Sequence, residues 1–256
     1  MTTWALLSKE WIETLRSYRI LFVPLLFALL SISQPVGDHL LPHLLKTASS
    51  LPPGTVLKIP MPTPPEVLQS ILGQLGQIGV LVLILVGMGS IAGERASGVA
   101  AVVLSKPVGR GAYFGAKLAM YSLLAAFALL LGALGGAYYT NVLIGPVSWG
   151  PALFGALLYL PVLLLAVAAA IAASAALPSP VAAGGTALLF VIAANTVPQY
   201  LGTWVKAHSP SALTSAAGNV MGGGPIHAAL PSLAGTIVLA AVFAGVGYAF
   251  IRRREF

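Results

Sequence analysis

The chain has no cysteine. That excludes disulfides, thiolate metal sites and thiol chemistry. Charge is nearly as scarce: charged side chains make up 7% of the residues, whereas a soluble domain carries roughly 25%. Acids are the scarcest, six against thirteen Lys and Arg. None sits in the middle of an apolar run, which counts against an ion-coupled proton relay, and no nucleophile–base–acid set can be assembled. No polar stretch is long enough for a separate folded domain, and no internal repeat is evident. The N-terminus lacks the marks of a cleavable signal, because acids interrupt its basic region and no A-x-A site follows the first apolar run.

What the chain has is apolar residues: 58% of the sequence, with a mean hydropathy of +0.94. This composition predicts an all-α integral membrane protein forming a single transmembrane domain over 1–256. Six spans are predicted at about 20–36, 67–92, 113–138, 151–176, 181–205 and 232–251, each near the ~17–25 residues needed to cross a bilayer. Pro24 falls in the first turns of its span, where proline is tolerated, and Pro161 predicts a kink in the fourth. Tyr113 and Tyr138/Tyr139 mark the ends of the third span as an aromatic belt would. Residues 37–65, with seven prolines, predict an extended external loop. A short external helix is expected before the last span, capped by Ser209 or Ser211, running through Val220 and stopped by Gly222 to Gly224.

Residues 3–17 carry Trp4, Leu7, Trp11 and Leu15 at i+3/i+4 spacing, with Lys9, Glu10, Glu13 and Arg16 off that stripe. This predicts an amphipathic helix lying in the membrane interface. The basic residues give the orientation. Lys9, Arg16, Arg19, Arg95, Lys106, Arg110, Lys117 and Arg252 to Arg254 fall on one side of the predicted topology, and Lys46, Lys58 and Lys206 on the other. The richer side is cytoplasmic by the positive-inside rule, so both termini are cytoplasmic, and the net charge of +7 needs no nucleic-acid partner.

The chain is organised around its central stretch, 93–117, where Glu94, Arg95, Lys106, Arg110 and Lys117 interrupt long apolar runs. An ion at a bilayer centre costs about 2.5–3.5 kcal/mol on insertion scales, so these residues predict a cytoplasmic loop, 93–112. Ala96, Val99, Ala100 and Val103 recur at helical spacing, predicting a short helix from about Arg95 to Leu104 that ends before Pro107. A mostly apolar helix under a membrane calls for a socket on another protein.

These pieces resemble the permease subunit of type-2 ABC transporters, a family of bacterial exporters. The resemblance is carried by the region from Lys9-Glu10 to Arg16–Arg19, by Gly93-Glu94-Arg95-x-x-Gly98, by Leu104-x-x-Pro107-Val108-x-Arg110 with Lys117, and by the tail Arg252 to Phe256. It implies a coupling helix that docks on a separate ATPase subunit, through Glu94, Arg95, Gly98, Val99, Leu104, Pro107 and Arg110, with Pro178 and Ser179 of the second cytoplasmic connection. It further implies an N-terminal helix bracing that ATPase, and a second permease copy or paralogue. ATP and magnesium would be held by the partner rather than by this chain, the setting would be the bacterial inner membrane, and transport would proceed by alternating access. An ion-coupled secondary carrier and a non-transporting membrane scaffold are the alternatives.

Four other features stand out in the sequence. Gly111 to Leu118 approaches a phosphate loop, but the spacing is wrong and the Ser/Thr is missing, so no ATPase motif is present. His39, His43, His208 and His227 all fall on the external side; Pro42 breaks the i, i+4 pairing of the first two, and no acid or thiol joins them, so no metal site is expected. Gly132/Gly135/Gly136 and Gly184/Gly185 are read as packing surfaces between helices. Gln74 and Gln77 lie outward of the second span's centre near Val80, and Asn195, Thr196 and Gln199 outward of the fifth's near Ile192. At ~1.5 Å per residue both sets stand roughly 5–10 Å above the midplane. Unpaired amides in hydrocarbon are costly, so the two sets are expected to face each other or a wet path.

Overall fold

The computed structural model describes the backbone of residues 3–47, 62–105 and 108–253, and the side chains of all of these but 3 and 42–47. Every regular element among them is helical. Helix α1 is Thr3–Arg16 and α2 is Arg19–Thr47. The second span is built from α3 (Pro64–Gln74), a π-helical turn (Leu75–Gly79) and α4 (Val80–Gly87). Two short helices follow, α5 (Ala92–Ala96) and α6 (Val99–Leu104). Then come α7 (Arg110–Leu143), α8 (Trp149–Ala176) and α9 (Pro180–Thr196). The opposite end carries α10 (Thr203–Ala207) and α11 (Pro210–Met221), and α12 (Leu230–Arg253) closes the chain. Six of the described segments are long and apolar enough to cross a membrane. The protein is an all-α, multi-pass membrane protein.

The fourth span, α8, is the axis of the bundle: α4, α7, α9, α11 and α12 all pack on it. From Ala166 to Ala175 every residue is buried, and seven of these ten are alanine, the others being Val167, Ile171 and Ser174. Small side chains let neighbouring helices approach closely without a water-driven hydrophobic force between them. Glycine does the same between α2 and α7. A Cβ on Gly132 would meet the Ser31 hydroxyl at 2.9 Å, and one on Gly136 would meet the Ser31 Cβ at 3.2 Å and Ile71 of α3 at 2.8 Å. The packing role expected of these glycines and of Gly184, whose Cβ would lie 2.7 Å from the Met88 sulfur, is met; Gly185 faces open space.

Several boundaries move. The first span does not stop at residue 36: α2 continues through Gly37 and Pro42 to Thr47, so the first part of the expected external loop is helical. His39 and His43 therefore share one uninterrupted helix, since Pro42 breaks a bond in it without ending it. The rest of that loop, 48–61 with Lys58, lies outside the described residues. The fifth helix ends earlier than 205. Pro198 tightens the chain into a 3₁₀ turn, Val197–Tyr200, and Gly202 at φ 101° redirects it. The short helix expected before the last span, α11, matches its expected limits: Ser209 Oγ accepts from the Ala212 N–H, and Gly222 follows the last turn. Pro161 is accommodated inside a continuous α8. The central helix expected from Arg95 to Leu104 is two pieces, because Gly98 adopts φ 77°, a left-handed conformation that costs a side-chain-bearing residue about 1–2 kcal/mol.

Candidate functional site

Where α4 ends, the chain leaves the bundle through a turn at Met88–Ile91 before α5 starts. A helix end leaves backbone groups without partners. Here one side chain of the central span meets three of them. Ser174 Oγ of α8 donates to the Met88 carbonyl at 2.7 Å and accepts from the N–H groups of Ile91 at 3.0 Å and Ala92 at 2.9 Å. Arg95 then reaches back, donating to the carbonyl oxygens of Ser174 and Leu177 at the end of α8. The short helix α5 is thus fastened to the C-terminus of the fourth span from both sides, with a guanidinium placed where a helix dipole favours positive charge.

Glu94 turns the other way, into a buried ion cluster. Its carboxylate accepts from Lys9 of α1, from Lys117 Nζ of α7 at 2.9 Å and from the Tyr113 hydroxyl. Lys117, 1% exposed, also bonds Glu10 Oε1 at 3.0 Å, and its ammonium lies 5.2 Å from the centre of the Tyr113 ring. Lys9 binds Glu10 and, at 2.8 Å, Glu13. Burial alone would lower the Lys9 pKa, but its hydrogen bonds to Glu10, Glu13 and Glu94 outweigh that and raise it above the ordinary lysine value. Two ammonium groups and three carboxylates from α1, α5 and α7 therefore neutralise one another down to a single excess negative charge. Carboxylate oxygens of Glu10, Glu13 and Glu94 lie within 4.8 Å of one another, close enough for a cation, and the Lys9 ammonium holds that position. Every charge in the cluster has a partner, and the cluster joins three helices.

The cluster revises the reading of α1. Its helical amphipathicity is real, but part of its polar side packs against the protein. Leu6, Glu10 and Thr14 are buried against the protein, while Trp4, Trp11, Ile12 and Leu15 are exposed. Nor does Tyr113 sit in an aromatic belt: it is 1% exposed and bonded to Glu94. Tyr138 and Tyr139, by contrast, are exposed at the far end of α7. The sequence marks Lys9, Glu10 and Tyr113 in other roles and gives no sign of Ser174. The available signal was Lys117, a cation at the start of an apolar run, which needs an acid nearby.

The residues expected to meet a partner divide into two groups. Glu94 and Arg95 are bonded within the chain and present little surface, so they position the neighbouring segment. Gly98, Val99, Ala101, Val102 and Ser105 are exposed, Val102 most of all at 65%, while Ala100 packs inward. Leu104 is partly buried, Pro107 lies outside the described residues, and Arg110 donates to the Arg252 carbonyl on α12 at 2.9 Å. Pro178 and Ser179 are exposed in the adjacent α8–α9 turn. α6 and that turn both lie at the end of the bundle fixed by Arg95 and Ser174.

The amide sets do not pair with each other. Gln74 donates to Ser33 of α2 at 3.3 Å, Gln199 to Ser211 of α11 at 2.6 Å, and Asn195 to the Val191 carbonyl of its own helix. Gln77 and Thr196 are exposed. Among the described residues no hydrogen bond links the second span's amides to those of the fifth; α9 packs mainly on α8 and on α4. Gln74 and Gln77 flank or enter the π-helical turn, a local irregularity frequent at functional positions.

Comparison with known proteins agrees with this architecture. The profile of the family described as "ABC-2 family transporter protein" matches residues 4–221. The chain is also 30% identical over 145 residues to an uncharacterized transmembrane protein, YxlG, of Bacillus subtilis (strain 168). That alignment covers 57% of this chain and 56% of the relative, so the chain spans little more than half the length of the curated protein it matches. The family match runs over most of the sequence, and the chain belongs to the ABC-2 transporter family.

Proposed function

We propose that this member of the ABC-2 transporter family is the permease subunit of an ATP-driven exporter and is powered by a separate ATPase subunit. The observation that carries this reading is the exposed apolar face of α6, Val99, Ala101 and Val102, presented on α5, which Arg95 and Ser174 fasten to the central span. Motion of a docked partner would be passed through α5 to α8 and, through Glu94, to α1 and α7. ATP and magnesium belong to the ATPase, and this chain supplies no catalytic residue. α1, α6 and the Pro178–Ser179 turn lie on the cytoplasmic face of a bacterial inner membrane, with both termini inside, as the basic residues argue. A second permease, an identical copy or a paralogue, completes the path, and the substrate passes by alternating access near the second and fifth spans, where Gln74, Gln77, Asn195, Thr196 and Gln199 lie.

The test is Val99→Asp. Val99 is 40% exposed, so the change should leave the permease folded while placing a charge in the docking groove. Co-purification with the ATPase subunit, or transport-linked ATP hydrolysis, should be lost. A Val99→Asp chain that assembles and transports as the parent does removes α6 from the docking surface.

A further inference from the structure

Facing away from the ion cluster, α1 and α7 leave a groove between them. Its walls are Trp4, Leu7, Ser8, Trp11, Ile12, Met120 and Leu123, enclosing about 590 Å³. A second apolar hollow of about 180 Å³ shares Trp11, Met120 and Leu123 and continues toward Ile20 and Phe127 along the start of the first span. Apart from Ser8 the walls are apolar. The two hollows form one elongated trough, open along the side of a membrane span rather than into the bundle. Its shape and lining match a hydrocarbon chain.

The rim supplies the second half of the argument. The trough's far part begins at Ile20, directly after Arg19 and one turn beyond Arg16, the last residue of α1. Arg16 is exposed, and among the described residues it has no ion-pair partner. Arg19 donates one bond to the Tyr121 hydroxyl and lies 5.9 Å from the centre of that ring. The rest of its five N–H donors are available. Acids on α1 do not cancel this charge: Glu10 is buried on the opposite face and Glu13 is held by Lys9. Between the two arginines, Tyr18 is the one described non-glycine residue with positive φ, 56°. A bulky side chain in that conformation is strained and needs compensation elsewhere. The turn it makes folds α1 back along α7 and leaves the Tyr18 ring 73% exposed beside the two arginines. Arg19, next in the chain to the wall residue Ile20, and Arg16, one helical turn after the wall residue Ile12, therefore flank the apolar trough, with Tyr18 between them in sequence.

We infer that this trough binds one anionic phospholipid of the leaflet in which α1 lies, its acyl chain along Trp11, Met120 and Leu123 and its phosphate at Arg16 and Arg19. A bound lipid would wedge α1 against α7 from the membrane side, opposite the ion cluster that ties the same helices from the protein side. The inference needs only the membrane location, not a particular transport substrate or partner.

Trp11 lies in the trough and reports on it. A chain carrying Trp4→Phe, Trp149→Phe and Trp204→Phe keeps Trp11 as its one tryptophan. In detergent it would be titrated with phosphatidylglycerol brominated on the acyl chain, and separately with phosphatidylcholine bearing the same chains. Saturable quenching is expected, with phosphatidylglycerol half-saturating at about 25-fold lower concentration, since each of the two arginines near a membrane surface contributes about a factor of five. Arg16→Gln, a surface change, leaves Arg19 alone and should bring the two lipids to within about fivefold of each other. Quenching that rises without saturating overturns the site, and equal half-saturation for both lipids overturns the headgroup assignment. If the three-substitution chain is not monodisperse, native mass spectrometry of the unaltered protein decides: retention of one phosphatidylglycerol but no phosphatidylcholine supports the inference, and equal retention refutes it.

Discussion

Lys117→Met measures what the ion cluster does for the fold. The Lys117 ammonium is 1% exposed and bonds Glu10 at 3.0 Å and Glu94 at 2.9 Å, both nearly buried. Methionine keeps the length of the chain and removes the charge. One ammonium, Lys9, would then face three carboxylates. Removing one partner of a buried pair costs about 3–5 kcal/mol, because the charge left behind is desolvated without compensation. For a chain of this size 1 kcal/mol corresponds to roughly 2–4 °C, so the unfolding midpoint in detergent, read from tryptophan fluorescence, should fall by roughly 10 °C. Lys9→Gln should cost less than Lys117→Met, because the Lys9 side chain is 29% exposed and its Glu13 partner 37% exposed, and pairs open to solvent are worth about 0–1 kcal/mol. The decisive variant is Lys117→Met with Glu94→Gln. It restores the original excess of one carboxylate, so it should recover at least about half of the lost midpoint, a coupling of the kind expected for groups in contact. A fall below about 2 °C for Lys117→Met, or a double variant whose losses simply add, would refute the argument that the cluster is a mutually neutralised unit.

Ser174→Ala removes the acceptor of the Ile91 and Ala92 N–H groups; stability should drop by about 2–3 kcal/mol and hydrogen exchange at those two amides should accelerate, while an unchanged exchange rate would mean that the α4–α5 turn holds itself. Tyr159→Phe should be neutral or raise the midpoint by a few degrees, roughly 1 kcal/mol. Its hydroxyl is fully buried and has no hydrogen-bond partner among the described residues, so a clear loss of stability would show that the hydroxyl is bonded after all. Lys9 sets a pH expectation: with a folded pKa above its unfolded value of about 10.4, its contribution is complete below that value and is lost only as pH rises through the higher folded one. The difference in midpoint between the parent and Lys9→Gln should therefore stay constant from about pH 6 to pH 9, and a difference that shrinks across that range would contradict the raised pKa.

Local patterns of the sequence determined local features of the protein. Runs of apolar residues set six spans, since a bilayer demands a given length of hydrocarbon-compatible helix whatever surrounds it. Ser209 and Gly222 set the limits of α11 for the same kind of reason, because a cap acts on the turn beside it. The i+3/i+4 stripe of Trp4, Leu7, Trp11 and Leu15 fixed that α1 is amphipathic. It left undetermined which side faces the protein, and the answer reversed the usual arrangement: part of the polar side packs inward because Lys117 and Glu94, 107 and 84 residues further along the chain from Glu10, need partners there. The same dependence explains Glu94 and Arg95. Their motif marked them as important, but only the packing of α5 between α7 and the end of α8 made one an anchor to α1 and the other a cap on Leu177. The amides of the second and fifth spans stand at similar depth by simple counting, yet each set finds a partner on a different neighbouring helix, Gln74 on Ser33 of α2 and Gln199 on Ser211 of α11. Hydropathy and capping act over one or two turns and can be read along the chain; which buried charge meets which is decided by how helices far apart in sequence pack, and that only the tertiary structure holds.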